Sequence, residues 1–449
     1  MTNHYDVCII GLGPAGLGAA LTLCDNNQDL EILCLDAGES PLKRVCDLKE
    51  GGVCDQSSVC SVICGIGGAS LLGGGKFSYL PAGKEISNIV GSMSQATRIF
   101  NQALEILLTY FPLKIDHIPE SLIQEARSIY EQDGLSFRYY PVFTCGTKKI
   151  IDGYNLIYLY LKDVGVIVNH NSKVIGIHYM DEVFKVDYLL DGEITSTFVK
   201  YVILAVGRLG HTLLQEIKNK YPEKCDANRF EIGVRIEFPT ELSPDIDESH
   251  KDLKLIYKDF RTFCLCKNGS IMPYYRDGIL ILDGHVDTDI TTNYTNFAIM
   301  RRFKPSIENS NILSTYINNI KRLSNGLPAY QNAHSYIYGS EPTKDILTLN
   351  YANQCNIDAI FPVEIQEQMR SGIARILSSL FSKSELNYVS ILLPSIEYLP
   401  VRFHLRPDFS LVDGLFIIGD CTGRFRGTLQ AFCSGIISAE NIISKYRGP

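Results

Sequence analysis

DVCIIGLGPAG (residues 6–16), followed by LGAALTLC (17–24) and EILCLD (31–36), is the stretch on which the reading of this chain turns. The apolar run predicts a buried strand, GLGPAG a tight turn, LGAALTLC a helix and EILCLD a second strand, which together make a βαβ unit. Each glycine has its own task. Gly11 permits the turn, Gly13 lets backbone approach a pyrophosphate, and Gly16 lets helix and strand pack closely. The helix N-terminus then faces the phosphates with its partial positive charge. Asp36 ends the second strand 20 residues beyond Gly16, where a carboxylate can accept a hydrogen bond from a ribose hydroxyl. A dinucleotide site is the reading that uses all of these residues.

Composition narrows the remaining classes. The 449 residues are 45% hydrophobic and 20% charged, as in an ordinary globular protein with more than one domain. Lys plus Arg number 42 against 50 Asp plus Glu, a net charge of −8, so the basic excess that drives nucleic-acid binding is missing and no nucleic-acid partner is expected. Val7–Cys24 is free of charge and long enough to be mistaken for a membrane span, but its glycines and Pro14 mark a turn inside it, and no membrane association is expected. Fourteen cysteines, with no Lys or Arg in the first five residues to begin a secretory leader, point to a reducing, cytoplasmic setting. No G-x-S-x-G elbow and no G-x-x-x-x-G-K-[ST] loop occurs, which removes the corresponding acyl- and phosphoryl-transfer classes.

Outward from the opening unit, residues 53–78 form a run rich in glycine and cysteine with no helical period, suited to lying against a flat ligand. Helical patterns follow at about 86–110 and 118–132, and both are expected to pack on the nucleotide-binding part. After a helix at NLIYLYLKD come short alternating strands, with a turn at Asp191-Gly192 and a strand ending at Ala205 and Gly207. Residues 230–399 mix strands and helices without an internal repeat. A short strand at Leu415–Gly419, then Asp420, a glycine-dotted turn and a last helix from about Thr428 close the chain.

DVCIIGLGPAG, VKYVILAVG and GLFIIGDCTGRFRGTLQAFCSGIISAEN, in that order, resemble FAD-dependent oxidoreductases of the glutathione-reductase-like superfamily. The chain is still more similar to a largely uncharacterised family of NAD(FAD)-utilising dehydrogenases. The segments carrying that likeness are Gly67–Ser70 with Gly73–Lys76, Gly233–Pro239, Phe263–Gly269 and Leu399–Arg402. Departures fall at Gly74, Phe238, Lys267-Asn268 and Gly419-Asp420-Cys421, where the family carries Asp, His, Pro-Gly and a Gly-Glu-Gly type segment.

The resemblance implies an α/β fold: a doubly wound, Rossmann-like FAD-binding domain interrupted by an inserted α+β substrate domain. The expected boundaries are 1–225 for the first part of the FAD domain, 226–400 for the insertion and 401–449 for the C-terminal return. FAD is the implied cofactor. Its expected contacts are Gly11, Gly13, Pro14, Ala15, Gly16, Asp36, Arg44, Gly68, Lys76, Val174, Ala205, Gly207, Gly419, Asp420, Gly427, Thr428 and Leu429. Asp420 is placed against the ribityl chain or pyrophosphate, and the last helix aims its N-terminus at the isoalloxazine. Only one complete nucleotide fingerprint is present, so a separate NAD(P) domain is not expected.

For catalysis the candidates are Lys76, Arg402 and His404. Lys76 in the glycine-rich loop can stabilise negative charge, or be a solvated loop lysine. Arg235 and Glu237 share one strand face, as do Arg402 and His404, and the four either line a cavity or form inter-strand ion pairs. No histidine spacing matches a metal site, and none is expected. Cys54, Cys60, Cys64, Cys264 and Cys266 are inert thiols, a redox pair or metal ligands. On regular strand alternation Cys264 and Cys266 do not meet, so a redox pair requires Cys60 or Cys64. The resulting expectation is an FAD-dependent oxidoreductase passing a hydride between flavin and a small organic substrate, with an external electron donor or acceptor. The alternative is a flavin-binding module whose FAD is structural or sensory.

Overall fold

In the computed structural model the described residues are 4–26, 29–49, 51–57, 59–115, 117–227, 229–242, 250–287, 290–339, 348–349, 351–399 and 401–447. Pro400, part of the Leu399–Arg402 segment, lies outside them.

The apolar run of residues 6–10 forms the strand His4–Ile10, which pairs in parallel with Ile32–Leu35 on one side and Glu193–Leu204 on the other. Ile167–Asn169 and Leu415–Ile417 extend the parallel order at the two ends, and Ser410–Val412 closes one edge antiparallel. These strands are nearly continuous in Val, Ile and Leu because both faces of the sheet are covered. One face carries the helices Pro14–Asn26, Met93–Tyr110, Thr147–Asp163 and Thr428–Arg447 over a shared apolar core. The other face packs against Leu213, Leu214 and Ile217 of the helix His211–Lys220, and against Val401 and Phe403. The antiparallel pair Val183–Leu190 and Glu193–Leu204 turns at Asp191 and Gly192, both left-handed.

The first and last helices touch backbone to backbone. A Cβ on Gly18 would lie 2.6 Å from the Phe432 carbonyl oxygen, and one on Gly435 would lie 2.2 Å from that of Ala15. This contact fastens the C-terminal segment to the opening βαβ unit.

A second eight-stranded sheet runs in the order Asn353–Gln354, Ala329–Asn332, Ser390–Tyr398, Phe230–Pro239, Tyr294–Phe303, Phe260–Cys266, Leu255–Tyr257, Ser136–Phe137. The hairpin Ser270–Arg276 and Ile279–His285 stands apart from it as its own two-stranded ribbon. One expectation is corrected here. The helix Glu120–Gln132 buries Ile123, Ala126 and Tyr130 in the core of this second sheet, away from the parallel sheet against which it was expected to pack. Its partner pattern at 86–110 splits at the left-handed Gly91 into Glu85–Val90 and Met93–Tyr110, and Ser92 caps the longer piece by accepting from Gln95 N–H. The chain is thus a mixed α/β protein with a parallel sheet. Among the described residues no helix is long and apolar enough to cross a membrane.

Candidate functional site

The GLGPAG turn is built as its glycines predict. Gly11 has φ +92°, and a Cβ there would sit 2.5 Å from the Ala205 carbonyl oxygen. A Cβ on Gly16 would lie 2.0 Å from the Gly11 oxygen, so any side chain would push the helix off the strand. At Gly13 the nearest atom to such a Cβ is Gly68 Cα at 3.6 Å, which leaves the backbone bare toward the open side. Asp36 ties the turn to the second strand: its Oδ2 accepts from Leu12 N–H at 2.6 Å and its Oδ1 from Gly38 N–H at 2.9 Å. Burial raises its pKa above the ordinary carboxylate value, although these N–H groups and Arg44 oppose the rise.

Above the C-terminal ends of the parallel strands lies a cavity of about 730 Å³. Gly11, Gly13, Pro14, Ala15, Asp36, Gly68, Val174, Ala205, Gly207, Asp420, Gly427 and Thr428 all line it. Pro14 and Thr428 begin helices there, so two helix N-termini face one space. The far wall comes from the two-stranded ribbon and its turn, through Tyr275, Arg276 and Asp277. Arg208 joins the two walls. Its Nε lies 3.1 Å from Asp420 Oδ2 and its Nη1 3.1 Å from Asp283 Oδ2. Burial disfavours its charge, but Tyr274 and these two carboxylates more than offset that and hold it protonated.

Other expected contacts stand elsewhere. Gly16 packs behind the turn, Gly419 donates its N–H to Ser434 Oγ at 2.9 Å, and Leu429 is fully buried in the core. Arg44 is buried and its guanidinium bonds the carbonyl oxygens of Ser61, Val62, Gly65, Ile66 and Gly68. It shapes the glycine-rich loop from behind and does not line the cavity. Burial draws its pKa down to about 10 against the pull of Asp36.

The catalytic candidates are corrected more sharply. Arg402 and His404 do share a face of Val401–Phe403 and its extension, but Val401 and Phe403 take the apolar side, which leaves Arg402 and His404 exposed. His404 Nε2 lies 2.6 Å from Asp226 Oδ2 on the surface. Lys76 is not in the cavity wall; its Nζ lies 3.5 Å from Asp252 Oδ1 in a separate, buried cluster. Arg235 and Glu237 are buried too, Arg235 against Asn296 and Glu237 accepting from Thr348. Sequence reasoning missed Arg208 and Arg426, both cavity-lining; Arg426 pairs with Glu397. A signal existed for Arg208, since it follows Gly207 at the C-terminal end of a parallel strand, where open α/β sheets bind ligands. Among the described residues no group of three or more His, Cys, Asp or Glu is placed to hold a metal.

No protein-family model matches this chain, and no curated protein matches it. Solved structures align over nearly its whole length. A flavoprotein/dehydrogenase from Cytophaga hutchinsonii aligns with 99% of this chain and 79% of its own, at 12% identity and a TM-score of 0.42. The flavin-dependent brominase Bmp2 gives 100%, 80%, 14% and 0.43. A variant of the halogenase PltM in complex with FAD gives 99%, 70%, 13% and 0.42. At such scores these likenesses carry no argument about chemistry, which rests on the site itself.

Proposed function

We propose that the chain is an FAD-dependent oxidoreductase that passes a hydride between bound flavin and a small organic molecule. The observation carrying this reading is the convergence on one cavity of the bare Gly13 backbone, the Asp36 carboxylate and two helix N-termini. The cavity lies within the roughly 300–1,000 Å³ span of ligand clefts. The residues fit the group. Gly13 and the N-terminus at Pro14 would hold the pyrophosphate, and Asp36 has lone pairs left for ribose hydroxyls after accepting from Leu12 and Gly38. Asp420 offers an acceptor toward the flavin end, held in place by Arg208. The N-terminus at Thr428 supplies partial positive charge, which favours an anionic ring system near it.

When bound, flavin supplies the electron chemistry. The protein's part is to bind, orient and shield. The ribbon residues Tyr275–Asp277 wall one side of the cavity, and the substrate is taken to enter beneath them, with an external donor or acceptor completing the cycle. The test is the purified protein. It should be yellow and release FAD on heating, and the flavin should bleach with a donor under anaerobic conditions and recolour with an acceptor. FMN, or a colourless protein that does not take up FAD, overturns the cofactor. An FAD that no donor reduces leaves it structural.

A further inference from the structure

Behind the ribbon lies a second cluster that the cavity does not use. Cys264 and Cys266 sit at the end of the strand Phe260–Cys266 with their sulfurs 3.7 Å apart. Regular alternation would have kept them apart. Cys264 is left-handed, at φ +54°, and the pairing with Tyr294–Phe303 slips between Phe263 and Cys266, so this is a β-bulge with one extra residue. The bulge turns both side chains toward each other. Cys60 and Cys64, the partners expected from strand geometry, are engaged elsewhere: Cys60 accepts from Tyr275 N–H and Cys64 lies near Arg44 and Asp36.

Two buried cations, Lys76 and Arg235, act on the pair. Arg235 is 0% exposed, and its hydrogen-bond partners among the described residues are Asn296 Oδ1, the Cys264 carbonyl oxygen at 2.8 Å and Cys266 Sγ at 3.5 Å, none of them a carboxylate. Among the described residues Lys76 Nζ makes no hydrogen bond and its ion pair is with Asp252. Lys76 thus faces Asp252, while Arg235 feels Asp283 and Glu237 without a hydrogen bond to either among the described residues. A buried cation without a directly bonded anion is costly, and a thiolate at Cys266, 3.5 Å from the Arg235 guanidinium, gives it one. Burial by itself would push the Cys266 thiol up; the Cys264 S–H, Lys76 and Arg235 outweigh it and bring it below its ordinary value. The hydrogen bond with Cys266 and burial push the Cys264 thiol up. A thiolate held by cations beside a second thiol is the arrangement of a reactive cysteine with its resolving partner.

We propose that Cys266 and Cys264 are a redox pair that reduces a hydroperoxide and closes to a disulfide. The class of oxidant follows from access. Cys266 is 1% exposed and Cys264 only partly so, which bars a bulky disulfide, and the small two-electron oxidant proposed is a hydroperoxide. The Cys266 thiolate attacks the terminal peroxide oxygen and the O–O bond breaks. Cys266 becomes a sulfenic acid, and the departing alkoxide or hydroxide takes the Cys264 proton, steadied by the free N–H donors of Lys76. The Cys264 thiolate then attacks Cys266 Sγ, the S–S bond forms and hydroxide leaves. Two electrons pass from the sulfurs to the peroxide, and a thiol reductant resets the pair. Gly284 permits this packing, since a Cβ there would strike both the Arg235 guanidinium and Cys266 Sγ. None of these steps depends on which cofactor fills the cavity.

The test uses the whole purified protein, reduced, desalted and treated anaerobically with one equivalent of hydrogen peroxide. Alkylation and peptide mapping then follow. In the wild type, the peptide holding Cys264 and Cys266 should escape alkylation and lose the mass of two hydrogens, and dithiothreitol should restore both thiols. Cys264→Ser should stop at a sulfenic acid on Cys266 that dimedone captures, and Lys76→Met should slow the wild-type reaction about tenfold or more. If both cysteines of the wild-type peptide remain alkylatable while other thiols of the chain oxidise, the proposal is overturned. Because that readout needs no variant, misfolding of one does not protect it.

Discussion

Arg208 Nε meets Asp420 Oδ2 at 3.1 Å, which binds the end of a parallel strand to the segment that opens the C-terminal helix, 212 residues further along the chain. The same guanidinium reaches Asp283 on the two-stranded ribbon. One side chain therefore sets the spacing between the two walls of the cavity.

Replacing Arg208 by Met should leave the Asp420 and Asp283 carboxylates without their shared partner. Both are about four-fifths buried, so the loss should be on the order of 1–3 kcal/mol in urea unfolding, with flavin retention weakened at least tenfold. Asp420→Leu should weaken retention similarly. A folded Arg208→Met protein with full flavin content would count against the placement of Asp420.

The glycines of the turn should separate binding from stability. Gly13→Ala meets only ordinary contact within the protein and should fold with an unchanged melting temperature, yet bind FAD at least tenfold less well because the methyl occupies the bare approach. Gly16→Ala, which collides with the Gly11 carbonyl, should cost about 1–3 kcal/mol of stability. Thermal melts with and without added FAD distinguish the two; equal binding by Gly13→Ala and wild type would refute the cradle.

Arg44 predicts a loop effect. Arg44→Ala removes charged donors from the carbonyls of Ser61, Val62, Ile66 and Gly68 at once, so about 3 kcal/mol of stability should go and limited proteolysis should cut within residues 60–68. Arg44→Lys should not rescue it, because one ammonium cannot span the carbonyls that the guanidinium fork reaches.

His250 should govern acid sensitivity. It is fully buried, and its Nδ1 accepts from Asp252 N–H at 3.0 Å, which requires the neutral ring. Burial lowers its pKa to about 4, with Lys76 and Lys254 adding to the effect and Asp252 opposing it. The folded value lies below the unfolded one. The unfolded chain therefore binds the proton first, and stability present above pH ~6.5 is lost progressively toward pH ~4, by up to about 1.4 kcal/mol per pH unit. Urea midpoints from pH 7.5 to 4.5 should fall less steeply in His250→Phe, and identical slopes would remove the histidine from the account.

Much of the half built on the parallel sheet was legible in residues 6–36, because glycine spacing and a period-two or near-continuous apolar run are local constraints that any fold must honour. Gly11 and Gly16 make in the structure the turn and the close helix–strand contact that their types and spacing imply. The shared face of Arg402 and His404 was legible for the same reason. What the pattern could not say is which face would meet a core: Val401 and Phe403 claimed it, and the charged pair went to solvent. Arg44 reads as a loop cation until the fold brings five carbonyls around it, and Lys76 as a cavity lysine until Asp252 arrives beside it. Cys264 and Cys266 mark the limit most plainly. Strand alternation, a local rule, holds their sulfurs apart, and only the slipped register against Tyr294–Phe303, a long-range pairing, turns them together beside Arg235. Local geometry follows from the covalent chain and its side-chain periods; which groups share a buried volume, and hence which charges must compensate one another, is decided when distant segments pack.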